Sequence, residues 1–372
     1  MKTYTRSRNG ARHLRIKNIL VPIDFSPMSV KAIATAKRLA ERFDATVHLA
    51  HAQEYSYSTI IAPVAPVLVA PMNDFENWRA MAEQQLVRLA KEHGLSGTAR
   101  AEIGGAPFDT LCWIASDIRA DLIVTSTHGR TGMKRVFLGS TAERLVQHAP
   151  CPVYIDRKRN RRHQRQSIDN ILVPVDFSDC SLGGLDYAIR FAKKFAARVL
   201  VLHVVDLGLL LTADGYAMYD MSAVEEAVIK RAEQQMREFV RRAKFNGVPH
   251  QTMIVAGGSV GAICRIAETE DVDLIVTATH GRSGLPHLLI GSTAELTVRH
   301  APRPVLVVPS HPEIRARNAA ERETRKSRTT TPPRKVVRDA IATRRSRRTT
   351  AHPFPERRKT NKFRETHLVG LR

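Results

Sequence analysis

The chain has 372 residues, a formal net charge of +22 and four cysteines. A strongly basic balance is typical of nucleic-acid-binding proteins, but here the excess of Lys and Arg is confined to three segments, and the rest is close to neutral. The four cysteines show neither CxxC spacing nor a dense disulfide pattern, which suits a reducing compartment. The longest apolar stretch, residues 60–72, contains three prolines and is too short to span a bilayer.

The three basic segments lie outside two long inner regions. We predict a basic arm over residues 1–16, a linker over 157–168 with six Lys or Arg and no acid, and a tail over 310–372 with nineteen against six acids. We expect the tail to be largely disordered, because it has few apolar residues. Its only aromatic residues are Phe354 and Phe363, so any contact with nucleic acid, another polyanion or an anionic surface would not read a base sequence.

A long internal repeat relates the two inner regions. The segment 127–143 (THGRTGMKRVFLGSTAE) returns 152 positions later as 279–295 (THGRSGLPHLLIGSTAE). The opening ILVPIDFS of residues 19–26 likewise returns as ILVPVDFS at 171–178. A period this long indicates duplicated domains rather than a solenoid. We place the two domains at residues 17–156 and 169–309.

Short apolar runs alternate with helical patterns along the first domain. The runs are rich in Val and Ile and nearly continuous, which is typical of parallel strands with both faces covered by helices. We predict strands near residues 19–23, 46–50, 99–103, 122–125 and 152–155. We predict helices over residues 29–42, 74–93, 107–118 and 140–148. Ser26 and Pro27 suit the cap and first turn of the first helix.

The second domain repeats this pattern from Ile171 to Val308. The alternation predicts an α/β fold made of two tandem doubly wound domains, each with a five-stranded parallel sheet and helices on both faces. Ligands of such sheets bind outside the carboxyl ends of the strands, where the strand order reverses. We therefore look for the site at the ends of the first and fourth strands of each domain.

Those strand ends carry an acid and a glycine-rich loop. Asp24 and Asp176 follow the first strands, and the Gly-Ser-Thr of residues 139–141 and 291–293 would open the helix after the fourth. A helix start has free N–H groups and a positive dipole end, which suits phosphate. Glycines in a turn and Ser-Thr at a helix start also occur without any ligand. The duplication of the whole set favours nucleotide binding.

No enzyme signature accompanies these loops. The sequence lacks a GxxxxGK[ST] phosphate loop, an HExxH helix and a GxGxxG turn after the first strand. His128 and His280 have no evident titratable partner, so we interpret them as residues that brace the loop or touch ligand. The sequence predicts a binding protein with no catalytic residue and no metal-ligating cluster.

The repeated motifs resemble those of the universal stress proteins, in a tandem form. The resemblance rests on the Val-Pro-x-Asp-Phe-Ser start, the Gly pair before the third helix and the Gly-x9-Gly-Ser-Thr loop. It implies the strand order 3-2-1-4-5 and association through the last strand. It also implies an adenine nucleotide, ATP with magnesium, as the cofactor. In the first domain the implied binding residues are Pro22, Asp24, Ala52, Gly129, Gly139, Ser140 and Thr141. In the second they are Pro174, Asp176, Val204, Gly281, Gly291, Ser292 and Thr293.

Both copies depart from the nucleotide-binding motif at its first glycine. The residue there is Ser126 in one copy and Ala278 in the other, and a Cβ at this position would crowd ribose or phosphate. Ala52 also replaces the valine that Val204 keeps, so the second site has the better adenine wall.

Two functions follow as hypotheses. The first is a cytoplasmic stress-response protein, built as an intrachain pseudo-dimer that is able to dimerise further, which binds ATP in a regulatory, non-metabolic role. The alternative is a nucleotide-free interaction scaffold whose basic tail binds nucleic acid or another polyanion.

Overall fold

The computed structural model describes residues 14–54, 72–127, 139–157, 167–206, 221–279 and 291–309. The basic tail, most of the basic arm, most of the linker, and Gly129 and Gly281 lie outside the described residues. Within the described part, the two inner regions have the same succession of strands and helices.

The first half begins with a short buried strand and alternates regularly from there. Its elements are β1 (Asn18–Pro22), α1 (Pro27–Phe43), β2 (Thr46–Glu54), α2 (Met72–Glu92), β3 (Ala99–Gly104), α3 (Pro107–Asp117), β4 (Leu122–Ser126), α4 (Ser140–His148) and β5 (Val153–Asp156). The predicted strands and helices all exist, and β2 is longer than predicted. Ala52 therefore lies within β2 rather than beyond its end.

The second half repeats these elements. They are β6 (Asn170–Pro174), α5 (Asp179–Phe195), β7 (Arg198–Val205), α6 (Met221–Arg242), β8 (His250–Ala256), α7 (Ser259–Thr269), β9 (Leu274–Ala278), α8 (Ser292–His300) and β10 (Val305–Val308). None of the helices in the described ranges is both long enough and apolar enough to cross a membrane.

The strands of each half pair in parallel with the order 3-2-1-4-5, as expected. The two five-stranded sheets are not separate, however. They join into one sheet of ten strands in the order β3-β2-β1-β4-β5-β10-β9-β6-β7-β8. The join is antiparallel, with Val153 opposite Val307 and Tyr154 opposite Leu306. The last strands of the two halves thus associate within the chain.

The helices cover the two faces of this sheet in separate layers. On one face, α1, α2, α5 and α6 pack on strand residues such as Ile19 and Val21. On the other, α3, α4, α7 and α8 pack on residues such as Leu20 and Leu172. Each layer contains buried residues from both halves, so the hydrophobic core continues across the join. This burial is the main source of stability for a doubly wound sheet.

Side-chain caps fix where the first helix of each half begins. Ser26 precedes α1, and its side chain accepts a hydrogen bond from the N–H of Ser29, with Pro27 in the first turn. Ser178 accepts from the N–H of Ser181 in the same way at α5. The prediction that Ser26 and Pro27 start a helix is confirmed. These caps set the direction in which the chain leaves the ends of β1 and β6.

Candidate functional site

A cavity of about 320 Å³ opens at the carboxyl edge of the sheet in the second half. It lies between the ends of β6, β7 and β9 and the starts of α7 and α8, which is the point where the strand order reverses. Six residues named from the sequence line it together: Pro174, Asp176, Val204, Gly291, Ser292 and Thr293. The seventh, Gly281, lies outside the described residues.

The start of α8 forms one wall of the cavity. The N–H of Gly291 donates to the carbonyl of Thr279 at 2.8 Å, which ties the helix start to the end of β9. Gly291 is the N-cap and supplies no side-chain hydrogen bond. The N–H groups of the first turn, which begins at Ser292 and Thr293, therefore receive no side-chain cap from Gly291 at the positive end of the helix. This wall can bind an anion.

Asp176 lies across the cavity, just after β6. Its Oδ1 accepts hydrogen bonds from the backbone N–H of Ser178 at 3.1 Å and from the Ser178 hydroxyl at 2.6 Å. In the first half, Oδ1 of Asp24 accepts from the N–H of Ser26 at 3.0 Å. The carboxylate is thus held by the chain itself, with a fixed direction relative to the strand end.

An aromatic residue follows the aspartate and adopts the left-handed backbone region in both halves. The φ angle is 62° at Phe25 and 65° at Phe177, which side-chain-bearing residues rarely adopt. The ring of Phe177 lies 4.1 Å from that of His203, and the ring of Phe25 lies 4.8 Å from that of His51. The contact with the histidine ring accompanies this turn in each copy.

The histidine itself is a site residue that sequence reasoning missed. Nδ1 of His203 lies 2.8 Å from the carbonyl oxygen of Val175, and Nδ1 of His51 lies 2.7 Å from that of Ile23. A carbonyl only accepts, so Nδ1 carries the hydrogen and Nε2 is the acceptor in the neutral ring. His203 lines the cavity. The signal was present, because the histidine recurs at the same place in both copies.

Ala278, which stands at the first motif glycine of the second copy, lines the cavity and also lies close to α5. An ideal Cβ built on Gly184 of α5 would lie 3.3 Å from the Cβ of Ala278. The methyl group of Ala278 therefore points at α5, where the absence of a side chain on Gly184 accommodates it. Alternation along β9 agrees, since Leu274 and Val276 face the same helix layer.

The remaining lining of the cavity is largely apolar on one side. Leu202, Val204 and Ile263 come from β7 and α7 and face the space beside Asp176. Such a wall suits a flat, apolar group, whereas the opposite end presents the N–H groups of α8.

The first half repeats the same framework. Gly139 donates its N–H to the carbonyl of Thr127 at 2.9 Å, and it is the N-cap of α4 without a side-chain hydrogen bond. Pro22 ends β1, Ala52 lies on the neighbouring β2, and Ser140 and Thr141 open α4. Gly129 lies outside the described residues.

Within the described ranges, no group of three or more His, Cys, Asp or Glu side chains is arranged to hold a metal ion. The described lining of the cavity offers backbone N–H groups, Ser and Thr hydroxyls, one carboxylate and one imidazole.

Comparison with known proteins assigns the repeated domain to a family. The family model described as "Universal stress protein family" matches residues 15–157 and again 167–309. A universal stress protein of Methanocaldococcus jannaschii is 33% identical over 138 residues, which cover 37% of this chain and 80% of that protein.

Longer matches span both halves. A universal stress protein of Mycolicibacterium smegmatis is 26% identical over 302 residues, covering 78% of this chain and 96% of that one. The crystal structure of a universal stress protein from Archaeoglobus fulgidus superposes with a TM-score of 0.55 at 19% identity, covers 80% of this chain and 98% of that chain, and shares the fold. With two matched domains, this chain belongs to the universal stress protein family, in a tandem two-domain form.

Proposed function

We propose that the chain binds an adenine nucleotide, ATP, in the second half, and that the bound state has a regulatory, non-metabolic role in a stress response. The observation that carries this proposal is the cavity, at which an uncapped helix start faces a carboxylate and an apolar wall. Each of these three features matches one part of a nucleotide.

The phosphates would bind at the start of α8. The N–H groups that begin at Ser292 and Thr293 have no side-chain cap, and the glycine before them lets an anion approach the backbone. The hydroxyls of Ser292 and Thr293 add two further donors at the same wall. Magnesium, if it accompanies ATP, would be held through the phosphates, because Mg²⁺ keeps several waters and few protein ligands.

The nucleoside would bind toward β6 and β7. Leu202, Val204 and Ile263 offer an apolar wall for the base. Asp176 accepts hydrogen bonds, which suits ribose hydroxyls or the amino group of adenine.

The titratable groups of the described lining favour binding over turnover. They are Asp176 and His203, and each is held by the backbone: Oδ1 by the N–H of Ser178 and Nδ1 by the carbonyl of Val175. A general base needs its proton acceptor aimed at the reacting group. We therefore propose that these two side chains orient the strand ends and the ligand, and we assign neither a catalytic role.

The test is calorimetric titration of the full chain with ATP, comparing Ser292→Glu with Ser140→Glu. A glutamate in the first helical turn stabilises the helix dipole, so both variants should fold as well as the parent. Ser292→Glu should weaken ATP binding at least tenfold, because its carboxylate repels the phosphates, and should leave adenosine binding nearly unchanged. Equal ATP affinity in the parent and Ser292→Glu would contradict binding in the second half.

The Ser140→Glu variant shows which half is competent. The starts of α4 and α8 share the same geometry, but Ala52 replaces the valine wall in the first half. We expect the second site to bind ATP more tightly than the first. Ser140→Glu should therefore remove at most a weaker binding step from the titration. Absence of ATP binding in all three proteins would instead favour the nucleotide-free scaffold.

A further inference from the structure

A second, basic groove lies on the outer side of α1 and shares no lining residue with the cavity of the second half. It encloses about 550 Å³ and is lined by six residues of α1, by His93 after α2, and by Asp156 and Arg157 at the end of β5. Its charged side chains are Lys31, Lys37, Arg38 and Arg157 against Glu41 and Asp156. The groove is therefore open, polar and positively charged overall.

Part of this charge is fixed by internal hydrogen bonds. Thr35 donates its hydroxyl to Oδ2 of Asp156 at 3.0 Å and accepts from Nη2 of Arg38 at 2.9 Å. Lys37 donates to the carbonyl of His93 at 3.0 Å. The carboxylate of Asp156 thus accepts a hydrogen bond from a hydroxyl, and the same hydroxyl holds the guanidinium of Arg38.

Two cationic groups keep donors for a ligand. Within the described part of the chain, Lys31 makes no hydrogen bond or ion pair, and Arg38 has no partner for Nε or Nη1. The two side chains start seven residues apart on one helix, roughly 10 Å along its axis. Ala34 lies between them, and its small side chain leaves the groove open at this point. This spacing favours several linked anionic groups over a single ion.

The matching surface of the second half keeps only part of this set. At the same offset, Arg190 stands for Arg38, but Gly183 stands for Lys31, Asp186 for Ala34, Ile189 for Lys37 and Pro309 for Arg157. The fold therefore does not require a lysine at the position of Lys31. The pairing of Lys31 with Arg38 is specific to the first half, and α5 provides a matched control.

We propose that this groove binds a chain of phosphate groups, through Lys31 and Arg38, independently of nucleotide binding in the second half. Among the described residues, no Phe, Tyr or Trp side chain lines the groove, so we expect the ligand to be held mainly by its phosphates and not by stacked bases. The sequence that continues from Arg157 carries five more Lys or Arg by residue 165, which extends the basic character along the chain. Inorganic polyphosphate and single-stranded nucleic acid both present this chemistry.

Binding of polyphosphate and of a single-stranded oligothymidylate to the full chain, measured over a range of salt, tests the proposal. The test variant is Lys31→Gln with Arg38→Gln. The control is Arg190→Gln with Lys193→Gln, which removes two exposed positive charges from the corresponding helix α5. The slope of log affinity against log salt should fall by about 1–2 in the test variant and change little in the control.

Amine labelling read by mass spectrometry locates the contact and separates the two ligand sources. Polyphosphate should protect Lys31 from acylation severalfold, while Lys193 and Lys194 stay reactive. Protection by polyphosphate alone would identify a phosphoanhydride chain, and protection by both probes a general phosphate backbone. Equal losses in the two double variants, unprotected Lys31, or equal protection by orthophosphate would overturn the proposal.

Discussion

The Cβ of Ala278 lies close to α5 because of its place on the strand. Residues 274 and 276 pack in the core layer that contains α5, and alternation places residue 278 on the same face, opposite Gly184. Sequence reasoning placed this residue in the site but could not choose its direction. Alternation groups residues by face, yet it does not say which helix covers which face.

Gly183 and Gly184 provide the first prediction. A Cβ on Gly183 meets nothing within 4 Å, so Gly183→Ala should raise the free energy of unfolding by about 0.5–1 kcal/mol through helix propensity. Gly184→Val should lower it by roughly 1–3 kcal/mol, because the added atoms press on Ala278. Urea unfolding measures both. Equal effects of the two substitutions would show that Gly184 and Ala278 are not in close contact.

A second prediction concerns pH and His48. Nδ1 of His48 accepts a hydrogen bond from the N–H of Thr98 at 3.1 Å, and burial lowers the pKa of the ring. The fold therefore prefers the neutral form. This contribution is fully present above the unfolded pKa, about 6.5, and is lost as the pH falls below it. The loss should stay below about 1 kcal/mol, because the ring is partly exposed.

The second half supplies the control for His48, since Leu200 occupies the corresponding position. His48→Leu should make the free energy of unfolding less dependent on pH between 7.5 and 5, as measured by urea unfolding at both values. Burial also lowers the pKa of His148, so some dependence should remain. An unchanged pH dependence would mean that His48 is not held neutral by the fold.

At the scale of elements, Arg157 links the two halves at the end of a helix. From the end of β5 it donates Nη2 to the carbonyls of Val298 and Arg299, the latter at 2.7 Å, in the last turn of α8. Arg299 in turn contacts Glu143 of α4 at 3.4 Å. The helices whose starts form the two candidate phosphate walls are therefore tied together at the join.

Loss of the Arg157 donor should destabilise the chain. Arg157→Met keeps an apolar stem but leaves the last carbonyls of α8 without their donor, and we expect the free energy of unfolding to fall by roughly 1.5–3 kcal/mol. Arg190→Met, at an exposed position of α5, should change it by less than about 0.5 kcal/mol. Denaturant unfolding of the two variants in parallel gives the comparison. Similar changes in the free energy of unfolding for both would show that Arg157 does not stabilise the join.

Sequence patterns predicted nearly all of the strands and helices. They did not predict the contacts between distant parts of the chain. The predicted helix over 140–148 matches α4, with Gly139 as its N-cap and Ser140 and Thr141 in its first turn. Arg157, by contrast, was assigned to a solvated linker. Its charge and its basic neighbours suggest solvent, and only the antiparallel join brings the carbonyls of α8 within reach.

At the scale of the whole molecule, one sheet and two shared helix layers join the halves. The sequence predicted two domains, and the resemblance implied association through their last strands. It did not show that the core would be continuous. That property depends on contacts between residues far apart in sequence, such as Phe43 and Phe191, whose rings are 5.4 Å apart.

The continuous core predicts that the two halves unfold together. Leu306 is fully buried at the join opposite Tyr154, and Leu306→Ala should cost roughly 2–5 kcal/mol. Scanning calorimetry should give one transition for the parent and one, at lower temperature, for the variant. Leu296→Ala, at a position that is 38% exposed, should leave the transition nearly unchanged. Two separate transitions in the parent would show that the halves are independent.

The central claim is that nucleotide phosphates bind at the start of α8, and a crystal structure of the full chain grown with ATP tests it most directly. We predict phosphate oxygens within about 2.7–3.2 Å of the backbone nitrogens of Ser292 or Thr293, with the base beside Val204. A well-ordered second half without nucleotide at millimolar ATP, or with nucleotide bound elsewhere, would contradict the account.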